Sequence, residues 1–287
     1  MKKLSFSNKT VFFVNSIAAT LLLLAYFLPF IAPKTFPFLA VLSLLVPILL
    51  ILNILFVIYW LLSLKRQFLL SLIVLIIGYN YMGSFYKISS SKEINSDSDI
   101  RIMNYNVRLF NLYDWIPKQN IEEEIEELIE SQQLDILVVQ EYHPNKDIDL
   151  SKFKYKYEKL AGKKTKYGQA IFSNFPIVNS GSVEFPNTAN NAIYTDIIKK
   201  EDTIRVYNIH LQSLHISEDF ENFKSENSER LFKRISNTFE MQQIQAELFL
   251  EHKRNCPYKM IISGDFNNTA FSYVLNIFSN LDRFLLL

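Results

Sequence analysis

Met260-Ile261-Ile262-Ser263-Gly264-Asp265-Phe266-Asn267-Asn268-Thr269 is the stretch on which the fold turns. Three apolar residues suited to a sheet interior give way at once to polar ones. Gly264 permits a tight backbone turn, and strand alternation predicts that Asp265 and Asn267 point the same way. A carboxylate and a carboxamide so placed can hold a water, a phosphate oxygen or a hard cation. The same residues also suit an ordinary Asx-turn. The rest of the chain decides between these.

Working outward, other apolar runs also stop on polar residues. Residues 100–107 read as a strand carrying Asn104 and Asn106, with Arg108 just beyond. Residues 135–140 form a buried run ending on Glu141, and 204–210, paired with 192–198 around a turn, ends on His210. Residues 167–173 give a further strand, closed by Pro176. Between them, Ile121, Ile125, Leu128 and Ile129 recur at helical spacing over 120–133, with glutamates on the solvated face. A long helix is expected over 229–253 and a short one over 270–278. Mixed strands with helices at some connections predict an α/β (α+β) sandwich.

Asn106, Glu141, His210, Asp265 and Asn267 thus sit at strand ends. One such ending is ordinary, whereas several in one chain predict a common rim for a cation and a phosphate. The segments Asn104-Tyr105-Asn106-Val107-Arg108, Asp135–Gln140-Glu141, Tyr167-Gly168-Gln169-Ala170-Ile171-Phe172-Ser173, Asn208-Ile209-His210-Leu211 and Ser263-Gly264-Asp265-Phe266-Asn267 resemble the endonuclease/exonuclease/phosphatase family. They follow its order from residue 100 to about 269. The resemblance implies a deoxyribonuclease-I-like fold, a four-layered sandwich, and a metal-dependent hydrolase of phosphodiesters or phosphomonoesters. It implies Mg²⁺ or Mn²⁺, with Glu141 as principal ligand and Asn106 assisting. Asp265 and Asn267 would position the attacking water and the phosphate, and His210 would donate to a phosphate oxygen. Arg108 is a candidate substrate contact. The chemistry itself asks for a Lewis acid, an oriented water and donors toward developing charge.

The family pattern continues with an Asp-bearing strand and a Ser-Asp-His-type motif, neither of which follows Thr269 here. The expectation is a domain incomplete at its C-terminus, with unpaired sheet edges and impaired activity. The alternative is a non-catalytic metal- or phosphate-binding membrane protein derived from the family.

Composition divides the chain in two. The first 86 residues hold no acidic residue and six basic ones, which leaves 24 basic and 29 acidic residues, a net of −5, beyond them. That balance disfavours non-specific adhesion to duplex DNA. Residues 11–32, 38–64 and 68–85 are apolar runs, each near the ~20 residues that span a bilayer. Three runs in succession exclude a signal peptide. The runs hold no acidic residue or histidine, which leaves a transport relay without residues to use. Asn53 predicts a helix–helix hydrogen bond. Lys2, Lys3 and Lys9 before the first run, and Lys65 with Arg66 after the second, favour the cytoplasm. The expected organisation is a three-helix membrane anchor over 1–86, a linker over 87–99 and the hydrolase-like domain over 100–287. It places the chain as a multi-pass protein of the inner (cytoplasmic) membrane, with a cytoplasmic N-terminus and a periplasmic domain. The bilayer and a phosphate ester, either nucleic acid or a lipid or inositol phosphate, are the expected partners. The sequence identifies no protein partner. Seven lysines between 152 and 166 read as a solvated strand-and-loop segment.

Overall fold

The computed structural model describes residues 5–79, 99–117, 120–214, 228–279 and 284–286. The chain forms two compact units, one of Met1–Ser91, Leu214–Gln243 and Asn268–Ser279, the other of Lys92–Ser213, Ile244–Asn267 and Asn280–Leu287.

The second unit is a sandwich of two sheets. One has the order β1-β2-β4-β3, from β1 (Ile102–Asn106), β2 (Ile136–Tyr142), β3 (Tyr155–Ala161) and β4 (Tyr167–Ser173). The other runs β5-β6-β7-β8-β9, from β5 (Ile177–Glu184), β6 (Asn191–Lys199), β7 (Asp202–His210), β8 (Lys259–Asp265) and β9 (Phe284–Leu286). Both are mixed: β1 pairs β2 in parallel, as β7 pairs β8, while the hairpin partners are antiparallel.

β2 is buried on both faces, which is why its run is continuous and not alternating. Ile136 and Val138 join Ile171, Ile193, Ile197 and Val206 in one core cluster. Leu137 and Val139 point the other way, into a cluster with Phe172 and with Ile121, Ile125 and Ile129 of α5 (Ile121–Ser131). Phe249, in the last turns of α6 (Ser228–Lys253), stands edge-on to Tyr207 at 4.9 Å. Helix, sheet, sheet and helix give four layers.

Two strands, β5 and β9, escape the sequence expectation, while β3 is the strand of the expected strand-and-loop segment. β5 begins directly after Pro176, where a strand end was expected, and its mostly part-exposed residues carry little apolar signal. β3 lies within the lysine-rich run, at the edge of its sheet, with Lys156 and Lys159 paired to Glu158 and Glu184. Charged side chains are a usual guard on such an edge. β9 pairs β8 in parallel at Met260–Ile262, where a bare edge was expected.

In the first unit, α1 (Phe6–Ala25), α2 (Pro37–Val41), α3 (Val46–Leu62) and α4 (Phe68–Ile77) are overwhelmingly apolar. Two stretches are long enough to cross a bilayer, Phe6–Phe30 and Pro37–Leu62, with mean hydropathies of 2.2 and 3.0. The expected third span, 68–85, shows only the 10 residues of α4; its end and nearly all of the linker over 87–99 lie outside the described residues. Among the described residues there are therefore two candidate spans, not three.

Buried polar side chains tie these helices together. Asn15 donates to Ser71 at 2.5 Å and accepts from the Trp60 indole at 2.9 Å, linking α1, α3 and α4. Asn53 donates to the Ala18 carbonyl at 3.3 Å, the interhelical bond its position predicts. Parts of the C-terminal half join the same unit. Phe271 is buried in the cluster of Leu22, Tyr26 and Val46, and Asn276, in α7 (Tyr273–Ser279), donates to the Pro29 carbonyl at 3.0 Å. The Lys34 amide donates to Gln243 at 2.8 Å.

Candidate active site

Parallel pairing of β1 with β2 and of β7 with β8 brings four polar strand ends to one rim. The Asn106 amide donates to Glu141 Oε1 at 3.0 Å and to Asp265 Oδ2 at 2.9 Å. His210 is the register partner of Asp265, and its Nε2 lies 4.0 Å from Glu141 Oε1. Asn106, Glu141, His210 and Asp265 thus converge as the sequence predicts.

Glu141 reaches the rim through a backbone irregularity. The β2–β4 register passes from Gln140↔Gln169 to Tyr142↔Gly168, so Glu141 is an extra residue in its strand. Its φ is +49°, a left-handed value rare for a residue with a Cβ. Such a bulge re-aims a side chain that regular alternation would send elsewhere, and strain of this kind gathers at functional sites.

The turn after β8 combines both readings of its sequence. Asn267 takes φ +48° and donates its amide hydrogen to Asp265 Oδ1 at 2.9 Å, an Asx-turn. Its side chain donates to the Leu211 carbonyl at 3.0 Å, which fixes the loop after β7 against the loop after β8. Asn267 lies beyond the strand, so the turn and not alternation sets its direction. Gly264 serves a different purpose from the tight turn expected of it. A Cβ there would lie 1.9 Å from the Ile209 carbonyl oxygen, so the residue permits close approach of β7 and β8.

Below the rim lies a polar network of carboxamides that occur within the sequence motifs but have no role assigned by them. Gln140 donates to Asn104 Oδ1 at 2.7 Å and to Asn208 Oδ1 at 2.6 Å. Asn208 donates to the Val139 carbonyl at 2.8 Å, and Asn104 donates to the Gly264 carbonyl at 3.1 Å. These bonds join β1, β2, β7 and β8, and so hold the strand ends in relative position. Buried carboxamides between apolar strands are the signal that finds them, since each needs partners.

Burial holds the His210 imidazole below its ordinary value, against the pull of Asp265 and Glu141. The ring is neutral at pH 7 and carries one N–H. Nε2 is buried and has no hydrogen-bond partner among the described residues. An orphaned polar atom beside two carboxylates invites a ligand.

Glu141 and Asp265 are the carboxylates at the rim that could hold a hard divalent cation. Two carboxylates converge on one amide, and no cluster of three or more His, Cys, Asp or Glu residues suited to a metal occurs among the described residues. Mg²⁺ favours few carboxylates and retains several waters. Asn106 turns its NH₂ toward both carboxylates, while its oxygen accepts from the Arg108 amide at 3.1 Å. The Arg108 guanidinium lies 4.6 Å from the centre of the Trp115 ring, not among the carboxylates.

The chain belongs to the endonuclease/exonuclease/phosphatase family, whose pattern matches residues 103–285. Residues 8–85 match a second family, described as a domain of unknown function. No curated protein matches the chain. Among solved structures, the endonuclease/exonuclease/phosphatase from Bacteroides vulgatus is 16% identical over 63% of this chain and 71% of its own, with a TM-score of 0.45. Sphingomyelinase C from Streptomyces griseocarneus is 18% identical over 63% and 68%, with a TM-score of 0.44. D. rerio TDP2, complexed with single-strand DNA product, is 15% identical over 60% of this chain, with a TM-score of 0.44; the chain spans 62% of that protein's length.

Proposed function

We propose that this protein is a membrane-anchored hydrolase of phosphate esters that works with Mg²⁺ or Mn²⁺. The observation that carries the reading is the Asn106 amide holding Glu141 and Asp265 together beside the unpartnered Nε2 of His210. Glu141 would hold the cation, with Asp265 bonded to the same Asn106 amide; the bound cation supplies Lewis-acid charge to the phosphoryl oxygens. Asp265 retains lone pairs on both oxygens after accepting from Asn106 and Asn267, enough to orient an attacking water. His210 donates from Nε2 to a phosphate oxygen, in a buried setting where that bond gains strength. Asn267 acts on Asp265, by closing the turn that aims it.

The test uses the full chain in lipid nanodiscs with bis(4-nitrophenyl) phosphate. Turnover is expected with Mg²⁺ or Mn²⁺, and Glu141→Gln should lower it at least ~100-fold. Equal turnover in EDTA, or by the Glu141 variant, would refute the reading. Metal binding without turnover would favour the alternative, a non-catalytic binding protein.

The same reading places the anchor in the cytoplasmic membrane with three crossings and the sandwich on the outer face. Basic residues before the first apolar run and after the second support a cytoplasmic N-terminus. The Gln243–Lys34 bond gives independent support, because it ties part of the C-terminal half to the connection after the first span. Two crossings alone would return the chain to the opposite side from that connection. A third crossing through 68–85 removes the conflict. Lys200→Cys in a Cys256→Ser background should react with an impermeant maleimide from outside intact cells; reaction only after lysis would overturn the orientation.

A further inference from the structure

β7 ends on His210, and the peptide groups of the next residue, Leu211, are bonded on both sides. Its amide donates to the Asp265 carbonyl at 3.0 Å, which continues the β7–β8 pairing just past the His210↔Asp265 pair. Its carbonyl accepts from the Asn267 side chain at 3.0 Å and from the Asn190 side chain at 2.9 Å. A carbonyl oxygen has two lone pairs, so carboxamides from two different loops fill its capacity. Asn267 comes from the turn after β8. Asn190 stands in none of the sequence motifs and outside the strands that form the rim.

The loop that carries Asn190, residues 185–190 between β5 and β6, is fixed at both ends. Phe185 is buried at its start. At its end, buried Asn191 accepts from Gln169 at 2.6 Å and donates to Ser182 at 2.8 Å. Asn187 turns the chain between them with φ +60°, a left-handed value that asparagine tolerates better than most residues. The turn brings Thr188 back beside Asn190. The Thr188 hydroxyl accepts from the Asn190 amide at 3.1 Å and donates to Gln212 Oε1 at 2.8 Å. Gln245 of α6 accepts from the Gln212 amide at 2.9 Å. The residues after His210 are thereby tied to the β5–β6 loop, to the turn after β8 and to α6, always through uncharged groups.

We propose that Asn190 is a positioning residue that acts through His210. The buried Nε2 of His210 has no hydrogen-bond partner among the described residues, and its use toward a phosphate oxygen depends on where the backbone holds the ring. A donor displaced by about 1 Å can cost ~100-fold in rate. The Asn190 bond restrains the peptide beside that ring from a loop that supplies no group to the rim itself. The inference rests on the phosphate-ester reading above and deepens it.

The test uses the full chain in nanodiscs with Mg²⁺ and has two readouts, calorimetric binding of inorganic phosphate and turnover of bis(4-nitrophenyl) phosphate. Asn190→Leu keeps the size of the side chain and removes its donor; Asn190→Ala removes the donor without adding an apolar branch. Each should weaken phosphate binding at least ~5-fold and lower kcat ~10-fold, with Mg²⁺ affinity within ~2-fold of the parent. In a His210→Ala background the same substitutions should change phosphate binding less than ~2-fold, because the group they act through is gone. Unchanged phosphate binding in both variants would overturn the positioning role. An equal loss with and without His210, the result a merely structural bond gives, would overturn it too. The expected pattern in phosphate binding without turnover by the parent would count against the hydrolase reading while upholding the role of Asn190. A parent that binds no phosphate would overturn both.

Discussion

Removing the Asn106 side chain discriminates most sharply between the roles open to that residue. As placed, its NH₂ supplies two hydrogen bonds to carboxylates, at 3.0 and 2.9 Å. Bonds of this kind contribute about 1.5–3 kcal/mol each when buried. The Glu141 side chain is 36% exposed, so water replaces much of what is lost. For Asn106→Ala we expect a destabilisation of about 2 kcal/mol in EDTA, from the lost bonds and the repulsion between the bared carboxylates. For a unit of this size that corresponds to an apparent midpoint lower by roughly 4–8 °C. The assay is thermal unfolding of the full chain in nanodiscs, followed by intrinsic fluorescence, with EDTA and with saturating Mg²⁺. A ligand at 100 times its Kd stabilises by about 2.7 kcal/mol, comparable with the loss. If Asn106 bridges the two carboxylates in the absence of metal, Mg²⁺ relieves the same repulsion and narrows the gap. If Mg²⁺ widens the gap, Asn106 is itself a ligand and the bridging role is refuted. A midpoint in EDTA within 1 °C (roughly) of the parent would refute the energetic argument.

Further perturbations test other parts of the structure. Gly264→Ala places a Cβ 1.9 Å from the Ile209 oxygen and 2.5 Å from its nitrogen, both backbone atoms. Overpacking and left-handed strain together should cost about 3 kcal/mol or more, visible as a lower urea midpoint; an unchanged midpoint would contradict the close approach of β7 and β8. Burial, with the Arg205 guanidinium adding to it, holds the His252 imidazole below its ordinary value. Below about pH 6.5 the unfolded chain therefore takes up a proton that the folded chain refuses, so stability present above that pH is lost as pH falls toward the folded value. His252→Gln should flatten this decline in urea unfolding measured from pH 7.5 to 5. In the apolar unit, Asn15→Ala breaks the bonds to Ser71 and Trp60 and should cost about 1 kcal/mol in a detergent-unfolding titration. No change there would show that the buried polar triad is not a fastening of the helices.

Much of the site was legible because apolar runs that stop on Asn, Glu, His and Asp identify strand ends without knowledge of their neighbours. Asn106, Glu141, His210 and Asp265 are endings of this kind, and they meet at the rim. Asn267 is another, but its direction comes from an Asx-turn. Arg108 is the expected substrate contact, and its backbone does bond to Asn106, but its guanidinium stacks on Trp115. β5 stayed hidden because a part-exposed strand opened by a proline carries weak periodicity. The parts of the C-terminal half that join the apolar helices also have no local mark, since ordinary core residues such as Phe271 suit either a soluble or a membrane-facing partner.

By itself the sequence determined which segments avoid water, with what period, and which polar residues close them. Those are local properties, set by side-chain chemistry and backbone preference. Only the tertiary structure decided that Asn106 bridges Glu141 and Asp265, the latter 159 residues away. It alone decided that Glu141 sits in a bulge, and that Asn190 reaches the Leu211 carbonyl beside His210. The reason is physical. Strained conformations and converging charges are unfavourable in isolation, and they persist only where a packed core and a fixed strand register supply the offsetting contacts.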